Sequence, residues 1–396
     1  MTATASLVDF APALRLLGLA ALLALLPLSW WWLRQRGSAV TKRLAALTAL
    51  TMFLTFDLIV FGSFTRLTDS GLGCPDWPGC YGAASPLGAH GDIHAAQAAL
   101  PSGPVTLAKA WIEMTHRYLA MVVGALILVA AVASWRARKV LPHSPAWAAL
   151  TLAWVLVQGL FGKYTVTLKL YPAVVTGHLL GAMVLLAVLV LQFESFRNRP
   201  LAGGRAGATP AWVAGVLGLL MLQIALGGWV SSNYAVLACQ GFPACNGQWW
   251  PAMDAGQGFT LLRGLGQAGA GGYLPFEALV AIHMAHRLFA LVALAALAAL
   301  AWRLWQDGRP APRLYARLLA ALLLWQAASG LSNVVLGWPI AAALGHSAGA
   351  AALVATLVSL WARLRSAAAV AAVDQTVPAT RHRAAPNWPE QPPVAR

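Results

Sequence analysis

The sequence predicts an all-α polytopic membrane protein with two tandem, pseudo-symmetric four-helix bundles and one extra N-terminal transmembrane helix. Hydrophobic residues make up 59% of its 396 residues and charged residues only 10%, which is more apolar than a soluble core requires. Runs of about 20 apolar residues are long enough to cross a membrane. Such spans are expected near 14–33, 44–64, 111–134, 147–168, 172–193, 211–231, 279–302, 315–336 and 340–361.

An internal repeat supports the tandem arrangement. A cysteine pair, a helix containing His-Arg and a later helix with one more histidine occur in this order twice. The first copy comprises Cys74, Cys80, His116, Arg117 and His178; the second comprises Cys239, Cys245, His286, Arg287 and His346. Such self-similarity indicates repeated structural units. We therefore predict bundles over 44–200 and 201–365.

The flanking segments differ from the bundles. Residues 1–43 hold the extra helix, which lacks a basic leader and is followed by a basic loop, so we expect an uncleaved anchor rather than a secretory signal. Residues 366–396 are rich in Ala, Pro and Arg and predict a disordered cytoplasmic tail.

The net charge of +15 is concentrated in alternate loops, around 34–43, 136–139, 197–205, 303–313 and 363–365. By the positive-inside rule these loops are cytoplasmic, so the N-terminus and both cysteine loops face outward. Because the charge lies in short loops between spans, it does not indicate nucleic-acid binding.

The cysteines predict one disulfide per outward loop, Cys74–Cys80 and Cys239–Cys245, if the compartment is oxidising. Structural bridges are one interpretation, and a thiol pair that changes with redox state is the other. A zinc site lacks further ligands in each loop.

The four histidines fall at similar depth, His116 about seven residues or roughly 10 Å into its span. A single intramembrane histidine usually bonds a neighbouring helix, but four at matched depth favour metal or haem ligation. Two imidazoles from facing helices of a bundle are typical of a haem site. The nearby glycines either make room for a macrocycle or serve helix packing; they are Gly124, Gly177, Gly181, Gly345 and Gly349.

Arg117 and Arg287 follow two of these histidines and suit haem propionates, although snorkelling to the interface explains them equally well. Glu113 stands three residues before His116, whereas His283 stands three before His286. A carboxylate at this depth is costly unless it acts, for example as a proton acceptor.

Two further acidic features bear on the site. A di-iron carboxylate centre shares the Glu-x-x-His pattern but needs further carboxylates at this depth, which the first half lacks. Asp57, inside its span, is explained only by a helix–helix hydrogen bond or a proton path.

Two stretches together resemble the haem A synthase family. They run from Thr65 to Gly82, which includes Arg66-Leu67-Thr68-Asp69-Ser70-Gly71-Leu72 and the first cysteine pair, and from Glu113 to Arg117. The resemblance covers about 44–362. It implies an enzyme that oxidises the C8 methyl of haem O to a formyl group through haem I, making haem A for cytochrome c oxidase.

By the same resemblance, haem O would lie between His116 and His178 with Glu113 beside the methyl group. A haem b cofactor would lie between His286 and His346. The implied partners are haem O synthase and an electron acceptor, and the implied location is a bacterial-type inner membrane. The helix near 14–33 has no counterpart in the family's eight-helix core.

Three other functions fit parts of the sequence. A di-haem electron-transfer protein would use the same four histidines but needs neither Glu113 nor unlike halves. A transporter is disfavoured because the repeat is parallel and intramembrane charges are few. A haem O synthase would need aspartate-rich motifs for a magnesium diphosphate, and the sequence has none.

Overall fold

The computed structural model describes residues 11–141, 143–201, 208–269 and 271–376. Within these ranges the regular structure is helical and no β-strand is formed. Nine helices of the described residues are long and apolar enough to cross a membrane, and they coincide with the nine predicted spans. The predicted class, an all-α polytopic membrane protein, is confirmed.

The helices follow one another through connections of unequal length, and the two longest connections contain the cysteine pairs. The long ones are α1 (Ala11–Arg34), α2 (Val40–Leu67), α4 (Leu107–Arg136), α5 (Ala146–Thr167), α6 (Pro172–Arg197), α7 (Pro210–Ser232), α9 (Phe276–Gln306), α10 (Pro310–Val335) and α11 (Ile340–Thr376). The short ones are α3 (His90–Ala99) and α8 (Ala255–Gly258). Both short helices lie in the cysteine-containing loops.

Local sequence signals set several helix ends. Thr106 caps α4 by accepting a hydrogen bond from the Lys109 backbone N–H, and Thr209 caps α7 in the same way. Proline opens α6, α7 and α10, where its missing N–H costs nothing. Asn198 ends α6 in the left-handed conformation that asparagine tolerates.

Helix packing groups α2, α4, α5 and α6, hereafter the first half, and α7, α9, α10 and α11, the second half. In each half every helix contacts the next, and the last returns to the first. Contacts of α6 with α7 and α11, and of α2 with α11, join the halves around a buried apolar cluster that includes Leu186, Val216 and Leu357. The domain boundaries at 44–200 and 201–365 stay predictions.

The extra helix α1 packs mainly on α4 and less on α2. Trp31 is buried against Leu47, Val122 and Leu126, and its indole N–H donates to the Arg43 carbonyl at 2.8 Å. An indole buried in an apolar contact needs such a partner. Thus α1 covers the outside of the first half and contributes no histidine to it.

Helix α11 continues to Thr376, into the segment predicted as a tail. The predicted disordered cytoplasmic tail at 366–396 stays a prediction. The alanines that suggested a tail also have the highest helix propensity, and they extend the preceding span. The remainder of the predicted tail, 377–396, lies outside the described residues, as do residues 1–10.

Arg66, at the end of α2, ties the first half to the second. Its guanidinium donates to the Ser231 carbonyl at 2.5 Å and lies 3.9 Å from the centroid of the Tyr234 ring. Tyr234 in turn donates to Asp69, whose carboxylate also lies 3.6 Å from the Lys109 ammonium. Burial and the neighbouring Asp69 raise the pKa of the Tyr234 phenol, which therefore stays a donor.

We expect Arg66→Lys to lower the free energy of unfolding by about 2 kcal/mol, because lysine cannot both donate to Ser231 and cover the ring as a planar cation. Arg36→Lys is the matched control: Arg36 also lies 3.9 Å from a ring centroid, that of Trp32, but bridges no halves. Thermal unfolding in detergent measures both. Equal effects of the two substitutions would contradict the proposed tie.

Candidate functional site

Each of the four predicted histidines lies in a span with its ring half-buried and its edge against a glycine of a neighbouring helix. A Cβ added to these glycines would lie 3.0 to 3.8 Å from the Cε1 of the facing ring. The pairs are Gly62 with His116, Gly162 with His178, Gly227 with His286 and Gly330 with His346. Helices that carry a glycine here can approach an imidazole closely.

The structure brings the histidines together in the predicted pairs. His116 and His178 lie within electrostatic range of each other, and so do His286 and His346. Each pair joins the second and fourth helices of its half, α4 with α6 and α9 with α11. Each half therefore contains one site with two imidazoles from different helices.

In the second half, hydrogen bonds orient the rings. Ser329 Oγ lies 3.0 Å from His346 Nδ1 and donates its own proton to the Trp325 carbonyl. The hydroxyl oxygen therefore accepts the Nδ1 proton, which leaves Nε2 with a free lone pair. Gln223 holds the other ring, because its amide nitrogen lies 3.1 Å from His286 Nδ1 and donates to the His286 carbonyl.

In the first half, packing replaces these bonds. The Nδ1 atoms of His116 and His178 are buried without a hydrogen-bond partner among the described residues. Leu58 and Phe161 occupy the positions that correspond to Gln223 and Ser329, counted from the facing glycines. The Phe61 ring lies parallel to His116, with centroids 6.3 Å apart. The two pairs are thus held by different physical means.

This donor set fits a haem. No hydrogen bond to Nε2 of these four rings is found among the described residues, and in His346 the Ser329 contact leaves the lone pair on Nε2. Haem iron takes two axial imidazoles, and each half supplies two at one level. The facing glycines keep side chains away from the ring edges. Histidines that only hydrogen-bond neighbouring helices would not be expected to leave two Nε2 atoms of one half without a partner.

The flanking glycines have a different role from those facing the rings. A Cβ on Gly181 would fall 1.9 Å from the Gln158 amide nitrogen, and on Gly345 or Gly349 it would fall 2.7 Å from the Trp325 ring. Of the two interpretations, helix packing therefore holds at these three positions. The four ring-facing glycines were missed, although aligning the first and third helices of each half would have revealed them.

The cysteines form the two predicted bridges, Cys74–Cys80 and Cys239–Cys245. Arg117 secures the first loop by donating to the carbonyls of Asp76 and Pro78 at 3.0 and 3.2 Å. Arg287 secures the second by donating to the carbonyls of Cys239 and Gly241 at 2.6 and 3.0 Å. The propionate role expected for both arginines stays a prediction.

Glu113 is buried at the junction of the first loop and α4. Its Oε2 accepts from the Cys74 backbone N–H at 2.8 Å, and its Oε1 pairs with Arg117 at 2.5 Å. His283, at the corresponding place in the second half, instead contacts the Ala235 carbonyl at 2.9 Å through Nδ1. One half thus places a carboxylate one helical turn from its histidine, and the other half places an imidazole there.

Asp57 is exposed on α2, and no hydrogen bond or ion pair to it is found among the described residues. The helix–helix hydrogen bond considered for it is therefore not made within those residues.

The fold and these imidazoles define a polytopic membrane protein with two candidate bis-histidine haem sites. Residues 45–358 match the family model described as cytochrome oxidase assembly protein. A haem A synthase of Shewanella oneidensis is 36% identical over 321 residues, 80% of this chain and 96% of that protein. The chain belongs to the haem A synthase family.

Two further relatives extend the comparison. A haem A synthase of Shouchella clausii is 30% identical over 217 residues, 53% of this chain and 65% of that protein. A haem A synthase of a Caulobacter species is 28% identical over 336 residues, 79% of this chain and 93% of that protein. Helix α1 precedes the residues that the family model matches.

We expect Gly62→Ala to weaken haem binding in the first half by about tenfold or more, because the new methyl group would lie 3.0 Å from His116 Cε1 and turn the ring. Gly124→Ala is the control, since no atom lies within 4 Å of a Cβ there. Haem titration followed by absorbance measures both variants. Equal affinities would show that the ring does not depend on this contact.

Proposed function

We propose that this chain is an oxidoreductase that converts haem O to haem A, oxidising the C8 methyl to a formyl group through the hydroxylated intermediate haem I. One observation carries the proposal beyond family membership: two similar imidazole pairs differ in the residue beside them, Glu113 in one half and His283 in the other. A reaction at only one of two related sites requires such a difference.

The first half, 44–200, would bind haem O between His116 and His178. Glu113 lies one helical turn from His116 on the same face, so a substrate held there has a carboxylate near its edge. Arg117 and the Cys74 N–H fix the orientation of that carboxylate. We assign Glu113 the role of accepting protons from the methyl group under oxidation.

The second half, 201–365, would bind haem b between His286 and His346. When bound, this group would supply a one-electron carrier between the substrate and an external acceptor. Ser329 and Gln223 would hold the two imidazoles, and hydrogen bonds of this kind tune a bound metal. Arg287 Nε is buried without a partner among the described residues, which leaves one donor for a propionate.

The membrane location and the partners are inferred from the charge of the loops and from the reaction. We infer a bacterial-type inner membrane with periplasmic cysteine loops and a cytoplasmic C-terminal tail, because the Arg- and Lys-rich loops lie at the opposite ends of the helices from the cysteines. A haem O synthase would supply the substrate, and an external acceptor would take the electrons. A di-haem electron-transfer protein would need no difference between Glu113 and His283.

Co-expression with a haem O synthase in a host without haem A tests this function. Extraction and chromatography of the haems should yield haem A or haem I. Recovery of only haem b and haem O from a folded protein, with a compatible electron acceptor present, would contradict the proposal.

We expect Glu113→Gln to bind haem O normally but to form haem A at least about a hundredfold more slowly, because the amide cannot accept the proton. Haem content and conversion rate are measured on the same preparation. Glu277→Gln, in the first turn of α9, is the control for loss of a carboxylate elsewhere. Conversion at the normal rate would remove Glu113 from the catalytic role.

We expect His286→Ala to empty the second half of haem b and leave substrate binding in the first half. The measurement is the haem b content together with the bis-imidazole absorbance spectrum. His283→Ala, which removes a neighbouring imidazole that contacts Ala235, is the comparison and should retain haem b. An unchanged spectrum in His286→Ala would show that the halves are assigned wrongly.

A further inference from the structure

A column of buried polar side chains runs through the first half, from the histidine level toward the face opposite the cysteine loops. Each member is at most 7% exposed. They are Thr48, Thr51 and Thr55 on α2, Thr151 and Gln158 on α5, and Gln192 on α6. We call this set the polar column. Buried polar groups are costly in a membrane interior, and they commonly mark a pathway.

Part of the column lines a cavity of about 10 Å³ between all four helices of the first half. Such a volume accommodates about one water, provided that polar partners are present. Thr48, Thr51, Thr151 and Gln192 line it. The hydroxyls of Thr51 and Thr151 donate to carbonyls of their own helices, so their oxygens keep lone pairs for a water.

Hydrogen bonds continue from the cavity to the membrane face. Gln192 donates to Thr151 Oγ1, and its backbone carbonyl accepts from Ser195 Oγ at 2.7 Å. Ser195 Oγ lies 2.9 Å from Nδ1 of His143, in the loop between α4 and α5. Burial lowers the pKa of His143, so the neutral ring can take up and release protons there.

In the other direction the column approaches His178. Gln158 is four residues from Gly162, the glycine facing His178, and lies against Gly181 on α6. Both of its amide atoms are buried without a partner among the described residues. At 1.5 Å per residue, Thr151, Thr55 and Gln158 lie about 16, 10 and 6 Å below the histidine level. Measured along the helix axes, the polar groups therefore recur at intervals of about 4 to 6 Å.

The corresponding positions in the second half show whether the fold requires polar residues there. Aligned on the ring-facing glycines and the histidines, the positions of Thr48, Thr51, Thr55, Thr151 and Gln192 become Val213, Val216, Leu220, Leu319 and Leu360. All five are buried in the apolar core. Gln326 corresponds to Gln158 but donates to the His346 carbonyl at 2.9 Å. The polar column is therefore a feature of one half and is not needed for packing.

We propose that the polar column binds water and conducts protons between the His116–His178 site and the face opposite the cysteine loops. The inference rests on the proposed function. Oxidation of a methyl to a formyl group with water as the oxygen source releases four protons and four electrons. The electrons pass to the external acceptor, and the protons need an exit. The second half would carry only electrons and has no such column.

Hydroxyl-radical labelling of the full chain in detergent tests the water site without haem conversion. Radicals formed from a water in the cavity oxidise the adjacent side chains, and mass spectrometry reads the sites. Leu189 lines the cavity, and Leu357 is its buried counterpart in the second half. We expect Leu189 to be labelled several-fold faster, and the excess to disappear in Thr51→Val/Gln192→Leu. Equal labelling of the two leucines in the unsubstituted protein would overturn the proposal.

Conversion of haem O tests the proton path. Thr51→Val/Gln192→Leu introduces residue types that the second half already packs, so we expect normal haem content and conversion slowed by about tenfold or more. Thr356→Val, on α11, makes a similar change outside the column. An unchanged rate in the double variant would overturn the path. Absence of haem A from the unsubstituted protein would instead refute the proposed function and leave the labelling result standing.

Discussion

Four contacts between an imidazole and a glycine set the spacing of the helices around the candidate sites. Because each facing glycine lacks a Cβ, the neighbouring backbone approaches the ring edge to van der Waals distance. Each confined ring turns Nδ1 into the helix packing, where it has no partner among the described residues in the first half and a hydrogen-bonding neighbour in the second. The same contact occurs twice in each half. The two sites therefore share a geometry, although the residues around them differ between the halves.

The two halves differ in the hydrogen-bonding partners of their histidine rings and in the polar residues that they bury. The second half gives each ring a hydrogen-bonding neighbour and fills the remaining interior with valine and leucine. The first half leaves the ring nitrogens to apolar packing, but it places Glu113 above them and the polar column below. Rigid axial rings suit a resident electron carrier, whereas a carboxylate and internal water suit proton-releasing chemistry.

The two cysteine loops are bound to the helices by the arginines that follow His116 and His286 and by Glu113. Arg117 and Arg287 direct their guanidinium groups to loop carbonyls, and the Glu113 carboxylate holds the Cys74 N–H. Any movement of these loops would therefore reach His116 and His286 through neighbours on the same helices. This coupling explains why the His-Arg dipeptide recurs with the cysteine pair.

The sequence by itself determined the nine spans, the repeat and the pairing of histidines, because apolar length and residue order are one-dimensional properties. Only the tertiary structure decided which glycines face the rings, that the arginines bind loop carbonyls, and that threonines distant in sequence share one cavity. Those relations depend on the rotation of each helix about its axis. Rotation is set by contacts between helices, and nearly uniform apolar segments give little sign of which face turns inward.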